Sequence, residues 1–244
     1  MKKFWEMKMA TDENVGEIYI YGDIESYKFI EEDTTATSFK EDLDSLGDVS
    51  SINLYINSPG GSVFEGLAIY NMLKRHKAHV NVQVDALAAS ISSVIAMAGD
   101  TIYMPKNSML MIHNAWTIAV GNSADLRKMA DDLDRISQSS MQSYLEKAGD
   151  KLSEDKLKEM LDAETWLSAD EAKGLGLADV VLESNQMAAS INNDLFANYK
   201  NVPKQLQKEE KQAISSQEMA ERQRIAEEAK ADSEYTKTIL GGII

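Results

Sequence analysis

Apolar and polar positions change rhythm several times along this chain. "EIYIYG", from Glu17, alternates and stops on glycine, the period-two pattern of a half-buried strand. "INLYIN" (Ile52 to Asn57) predicts a second strand, closed by "SPGG". The next stretch, "SVFEGLAIYNMLKRH", switches to helical spacing. Val63, Leu67, Tyr70 and Leu73 fall on one face, and Ser62 stands where a cap belongs. "HVNVQV" predicts a strand and "SISSVIAMAG" a short apolar helix stopped by Gly99. "TIYM" and "MLMIH" predict strands around the turn "PKNS". Strands and helices in this alternation predict an α/β fold with a buried, mostly parallel sheet and crossover helices.

A long helix follows, from Ser123 to Ala148, with Gly149 ending it. Leu126, Met129, Leu133, Ile136, Met141, Tyr144 and Leu145 form its drifting apolar stripe. A second helix begins at Ser153. Ser168 and Glu171 form the S-x-x-E signature that opens a third, and "ADVVL" predicts the last strand. From Ser184 the chain turns polar and linker-like. It then becomes highly charged, with too few apolar positions for a core of its own, as in a helix that needs a partner. Three parts result: an N-terminal segment (1–15), a domain (16–183), and a linker with a charged helical extension (184–244). No internal repeat is visible.

Composition narrows the function. Cysteine is absent from the 244 residues, which removes disulfides and thiolate chemistry and fits a reducing cytosol. The start, "MKKFWEMKMATDENVG", lacks the apolar core of a signal peptide. No apolar run approaches the roughly 20 residues of a membrane span, so a cytoplasmic protein is expected. The net charge of −15 is uneven: residues 1–199 carry 32 acidic and 17 basic side chains, while 200–244 carry 8 of each. An acidic body repels phosphate backbones, so no nucleic-acid partner is expected.

The chemistry lies in three segments. A hydrolase acting on a carbonyl needs a nucleophile, a base, a group that orients the base, and amides for the oxyanion. "LAASIS" puts Ser90 at a strand-to-helix junction among small residues, with the Ile91 amide next in chain. A capping serine is the plainer reading of Ser90. Ser92 and Ser93 are expected to pack or to bond backbone carbonyls. "NSPGG" combines a proline-fixed turn with Gly60 and Gly61, which permit positive φ and close approach of another backbone. The Gly61 amide also stands free at a helix start, although an ordinary tight turn would use the same residues. His113 directly follows a buried strand. His76 and His79 lie in the polar stretch "KRHKAH", so base duty falls on His113 or on nothing.

Taken together, these segments resemble the proteolytic subunit of the Clp protease, over roughly Gly16 to Leu182. "LYINSPGGSVFEGLAIYNML", "ALAASISSVIAMAG", "PKNSMLMIHN" and "ETWLSADEAKGLGLADVV" are similar to that family's segments, in its order and spacing. The resemblance implies a fold shared with crotonases, built from repeated β-β-α units, with the long helix as a protruding handle. It also implies Gly61 and Ile91 as oxyanion amides, Gly60 beside the substrate, and an acid aligned on "WLSA" as third triad member. That acid is Glu164 where the family has Asp, with Asp162 as its rival. Ala163 stands where the family commonly has an arginine that pairs between rings. The N-terminal segment is unlike the family's axial-pore segment. These departures, with the charged tail, look more like the related proteases of phages and prophages, which act in head maturation.

The resulting expectation is a serine endopeptidase acting on polypeptides through Ser90, His113 and Glu164, with no metal or organic cofactor. The family implies a homo-oligomer, a heptameric ring or double ring, with an ATPase unfoldase or a capsid or scaffold protein as partner. If phage-encoded, it would act in the host cytoplasm. The alternative is a non-catalytic capsid-assembly or scaffold protein that keeps this fold. A third reading, an acyl-CoA enzyme on the crotonase fold, lacks any CoA-specific pattern.

Overall fold

The computed structural model describes residues 3–11, 14–25, 35–184 and 199–203. The expected linker and helical extension therefore lie almost wholly outside the described residues. Among these residues the sheet has eight strands. They are β1 (Trp5–Met9), β2 (Val15–Tyr21), β3 (Ser51–Ser58), β4 (His79–Ala89), β5 (Thr101–Pro105), β6 (Met109–Ile112), β7 (Thr165–Ser168) and β8 (Val180–Leu182). The helices are α1 (Ala36–Ser45), α2 (Val63–Arg75), α3 (Ile91–Ala96), α4 (Ser123–Ala148), α5 (Glu154–Asp162) and α6 (Ala169–Gly174). Pairing is parallel except for β1 with β2 and β6 with β7, so the expected mixed α/β fold with a mostly parallel sheet is present.

Period-two burial makes the core. Ile52, Leu54 and Ile56 of β3 are fully buried, with Val80, Val82 and Val84 of β4 beside them in register. Each such side chain contributes about 1.5–3 kcal/mol on removal from water. The remaining face of these strands is polar and aromatic: Tyr19 stacks on Tyr55 at 4.7 Å and Asn81 bonds Asn53. On α2 the buried positions are Gly66, Ile69, Tyr70 and Leu73, a face rotated from the one the sequence suggests. Ser62 occupies the N-cap position of α2 but makes no side-chain capping bond, and its amide donates to the Ile24 carbonyl at 2.7 Å.

One strand organises everything that follows. The first half of β4 pairs with β5, through Asn81 to Gln83, and its second half with β6, through Leu87 to Ala89. Between them the β3–β4 register shifts, from Ile56 opposite Val84 to Ser58 opposite Ala88. Such a bulge bends and twists a strand. The sheet forks there, and the carboxyl ends of β3, β4 and β6 converge. In open parallel sheets that edge is where ligands bind.

α4 spans the predicted residues. Asn122 caps it by accepting from the amides of Ala124 (2.8 Å) and Asp125 (3.2 Å), while Asp125 returns a bond to the Asn122 amide. Gly149 ends it at φ 56°. Met141 and Tyr144, late in its stripe, are buried, whereas Leu126 and Met129 remain about two-fifths exposed. The third helix, α6, carries the expected capping box of Ser168 and Glu171. No helix among the described residues is long and apolar enough to cross a membrane.

Candidate active site

Ser90 stands between the end of β4 and the start of α3 with φ 55°. Among the described residues only one other non-glycine residue has positive φ: Glu164, at 49°. Left-handed backbone costs a side-chain-bearing residue roughly 1–3 kcal/mol, so it persists only where the surroundings impose it. For Ser90 the surroundings are plain. Its amide donates to the Met111 carbonyl at 2.9 Å, and the backbone of Gly60 packs directly against it. A Cβ on Gly60 would lie 2.7 Å from the Ser90 Cβ and 2.8 Å from the Ala89 carbonyl oxygen. Glycine is required there by contact as well as by its φ of 99°.

The Ser90 hydroxyl does not cap α3. It lies 2.7 Å from His113 Nε2 instead. Its neighbours behave as packing serines. Ser92 donates to the carbonyls of Ser58 and Ala89. Ser93 Oγ lies 2.6 Å from both the Ser90 carbonyl and the Tyr144 hydroxyl, joining α3 to the buried part of α4.

His113 is the first residue past β6. Burial holds its pKa below the usual histidine value, and the nearby Glu164 charge opposes that shift. The ring is therefore neutral near pH 7, with a nitrogen able to accept a proton. His79 opens β4 with its side chain more than half exposed, and His76 ends α2; neither is near Ser90 in the fold.

Gly61 and Ile91 each line a cavity that Ser90 also lines. Ile24 and Gly61 form a parallel bridge, in which Ile24 donates to the Gly60 carbonyl and Ser62 donates to Ile24. Alternation along an extended strand turns the Gly61 amide to the opposite side. The Ile91 amide is the first of α3 and has no intrahelical acceptor.

Glu164 and Asp162 part company here. β6 and β7 run antiparallel with Ile112 opposite Thr165, and continuing that register brings His113 opposite Glu164. Glu164 is buried, at 8% exposure. Asp162 is exposed and accepts from the Asn114 side-chain amide at 2.7 Å. Among the described residues neither acid hydrogen-bonds the imidazole. Both Glu164 oxygens accept backbone amides instead, from Lys200 at 3.0 Å and Asn201 at 2.7 Å.

Those partners lie in a stretch that sequence reading left as linker. Tyr199 enters the cleft, donates to the Pro59 carbonyl, and sets its ring edge-on to His113 at 5.4 Å. A cavity of about 280 Å³ in front of Ser90 is lined by Pro59, Gly60, Gly61, Tyr199, Trp116 and the acids Asp23 and Glu25, among others. Burial and the Glu25 charge raise the Asp23 pKa. Tyr199, Trp116, Asp23 and Glu25 were not legible as site residues. Tyr199 offered one signal, an aromatic in a largely polar run.

Residues 14–185 match the family model for Clp protease. Among curated proteins, the chain is 31% identical over 150 residues to the ATP-dependent Clp protease proteolytic subunit 1 of Salinibacter ruber. That match covers 60% of this chain and 63% of the relative. It is 35% identical over 147 residues to the ATP-dependent Clp protease proteolytic subunit of Deinococcus radiodurans, covering 59% of this chain and 71% of that one. The chain thus spans somewhat under two-thirds of the length of the first of these relatives. A family match over most of the domain that carries Ser90, His113 and the glycine turn establishes that this chain belongs to the Clp protease family.

Proposed function

We propose that this protein is a serine endopeptidase whose nucleophile is Ser90. The observation that carries the reading is the 2.7 Å approach of Ser90 Oγ to His113 Nε2, made by a serine on left-handed backbone. His113 takes the hydroxyl proton as Ser90 Oγ bonds to the peptide carbonyl carbon. The Gly61 and Ile91 amides receive the oxyanion. His113 then protonates the departing amine, and water, deprotonated by the same ring, cleaves the acyl-enzyme. Glu164 stabilises the imidazolium through its charge in this reading, and the β6–β7 register that continues to His113 opposite Glu164 supports it as the acid for the second ring nitrogen. Oxyanion donors of this kind are worth about 100- to 1,000-fold in kcat each.

The substrates in this reading are polypeptides, and capsid or scaffold proteins of a phage are the subtype that the charged tail favours. A ring of copies is supported by what the domain leaves bare. Trp116, Ile118 and Val120 between β6 and α4 are half to fully exposed, and Leu126 and Met129 continue that apolar surface along α4. The relatives' names place them with an ATP-dependent partner, which this chain would share if it acts as they do. One observation favours a non-catalytic assembly protein: Glu164 bonds the chain's own amides rather than His113.

The deciding test is intact mass after prolonged exposure to a fluorophosphonate, on wild type and Ser90→Ala together. One adduct on wild type and none on the variant is expected. Folded protein that never acquires the adduct, either as wild type or with the cleft opened by Tyr199→Ala, overturns the reading and leaves the assembly protein.

A further inference from the structure

The residues just past the domain do something that neither the family nor the proposed chemistry requires. Tyr199 places a half-buried ring between His113 and Trp166, at 5.4 and 6.0 Å between ring centres, with both contacts edge-on. Its hydroxyl is bonded to the carbonyl of Pro59, in the turn that supplies Gly60 and Gly61, and Tyr199 lines the same cavity as Ser90. The next two amides take one Glu164 oxygen each, and the Asn201 side chain donates to the Ala163 carbonyl at 2.8 Å. One short run of chain thus walls in the cavity before Ser90 and engages the acid beside the base.

From this juxtaposition we propose that Tyr199–Pro203 is a tethered inhibitor seated in the substrate cleft, which polypeptide substrates must displace. The proposal rests on Ser90 being the nucleophile. Displacement would have two effects at once: it clears the face of Ser90, and it frees the Glu164 oxygens for the His113 ring. Bonds from amides to a carboxylate are charge-assisted and stronger than neutral ones, which gives the segment its hold. A tethered ligand also competes at an effective concentration in the millimolar range, so weak intrinsic affinity suffices. The ring marks the kind of side chain the cleft accepts, an aromatic one.

The test is the rate of Ser90 modification by a fluorophosphonate in the full-length chain, followed by intact mass. Tyr199→Ala removes the ring. Asn201→Pro removes the amide to Glu164 without touching any residue of the catalytic machinery. Both variants are expected to react about tenfold faster than wild type or more, as a tethered competitor's loss implies. The free peptide Tyr-Lys-Asn-Val-Pro should slow the Tyr199→Ala protein again, and Ala-Lys-Asn-Val-Pro should not. Two variants reacting no faster than a wild type that does react would overturn the inhibitor and leave the serine hydrolase standing. If no form reacts while all are folded, the nucleophile assignment falls and takes the inhibitor with it.

Discussion

The helices α3 and α4 begin in opposite ways. α4 opens on a complete capping box, Asn122 with Asp125, and adds the ion pairs of Lys128 and Arg135 with Asp132 along an exposed first half. α3 opens with no side-chain cap, carries no charge, and is buried at every position from Ile91 to Ala96. The residue that could cap it, Ser90, turns its hydroxyl to His113 instead. A helix end costs free energy when its amides lack partners. At α4 local chemistry meets that cost. At α3 no side chain does, and burial of the whole helix in the domain holds it in place. Where a buried helix begins without a cap, chemistry is the first explanation to test.

Substitutions can break this contrast. At the sheet edge around α3 they should cost rate; at the start of α4 they should cost stability. The largest effect is expected for Glu164→Ala, which should lose about 1,000- to 10,000-fold in kcat, as loss of an orienting acid does. Asp162→Ala, on the exposed side, should stay near wild type in the same peptidase assay; the opposite order would transfer the role to Asp162. Next comes Gly60→Ala. Its methyl group would press on Ser90 and on the Ala89 backbone, and a shift of the nucleophile by about 1 Å costs on the order of 100-fold.

The pH profile sharpens the electrostatic side. Burial lowers the His113 pKa, so the acid limb of the fluorophosphonate reaction should lie below the usual histidine value of about 6.5. The Glu164 charge raises that pKa, so Glu164→Gln should move the limb to still lower pH. A limb that moves upward would remove Glu164 from the neighbourhood of the ring. The smallest effect is expected at α4: Asn122→Ala should cost about 1 kcal/mol in denaturant unfolding and leave the rate of Ser90 modification unchanged.

Much of this was legible in sequence, for identifiable reasons. The strands β2 to β6 and the helices α2 to α5 announce themselves by periodicity and by caps, which are local signals. Ser90 showed through its small neighbours, and His113 because histidines are scarce. β1 was not legible although "WEMKM" alternates, because the run is only five residues long and buries only Trp5 fully. β7 is four residues long and was legible only as part of a motif. Ser62 stands at the N-cap position without the expected side-chain bond, and its amide joins a distant carbonyl, that of Ile24. Tyr199 escaped for the same physical reason: its role lies entirely in contacts with residues far away in the chain, at Pro59, His113 and Trp166, and no local pattern encodes them.

The antiparallel ladder of β6 and β7 has a consequence for how such a site can change over evolutionary time. His113 and Glu164 are separated by the whole excursion through α4 and α5, yet their juxtaposition is fixed by four residue pairs. The excursion can lengthen, shorten or acquire new surfaces while the ladder stays in step, and the acid keeps its place. A slip of one residue in the ladder would instead turn the acid to the other side of the sheet. The spacing of these two residues is in this sense digital, and the appendage between them is free to vary.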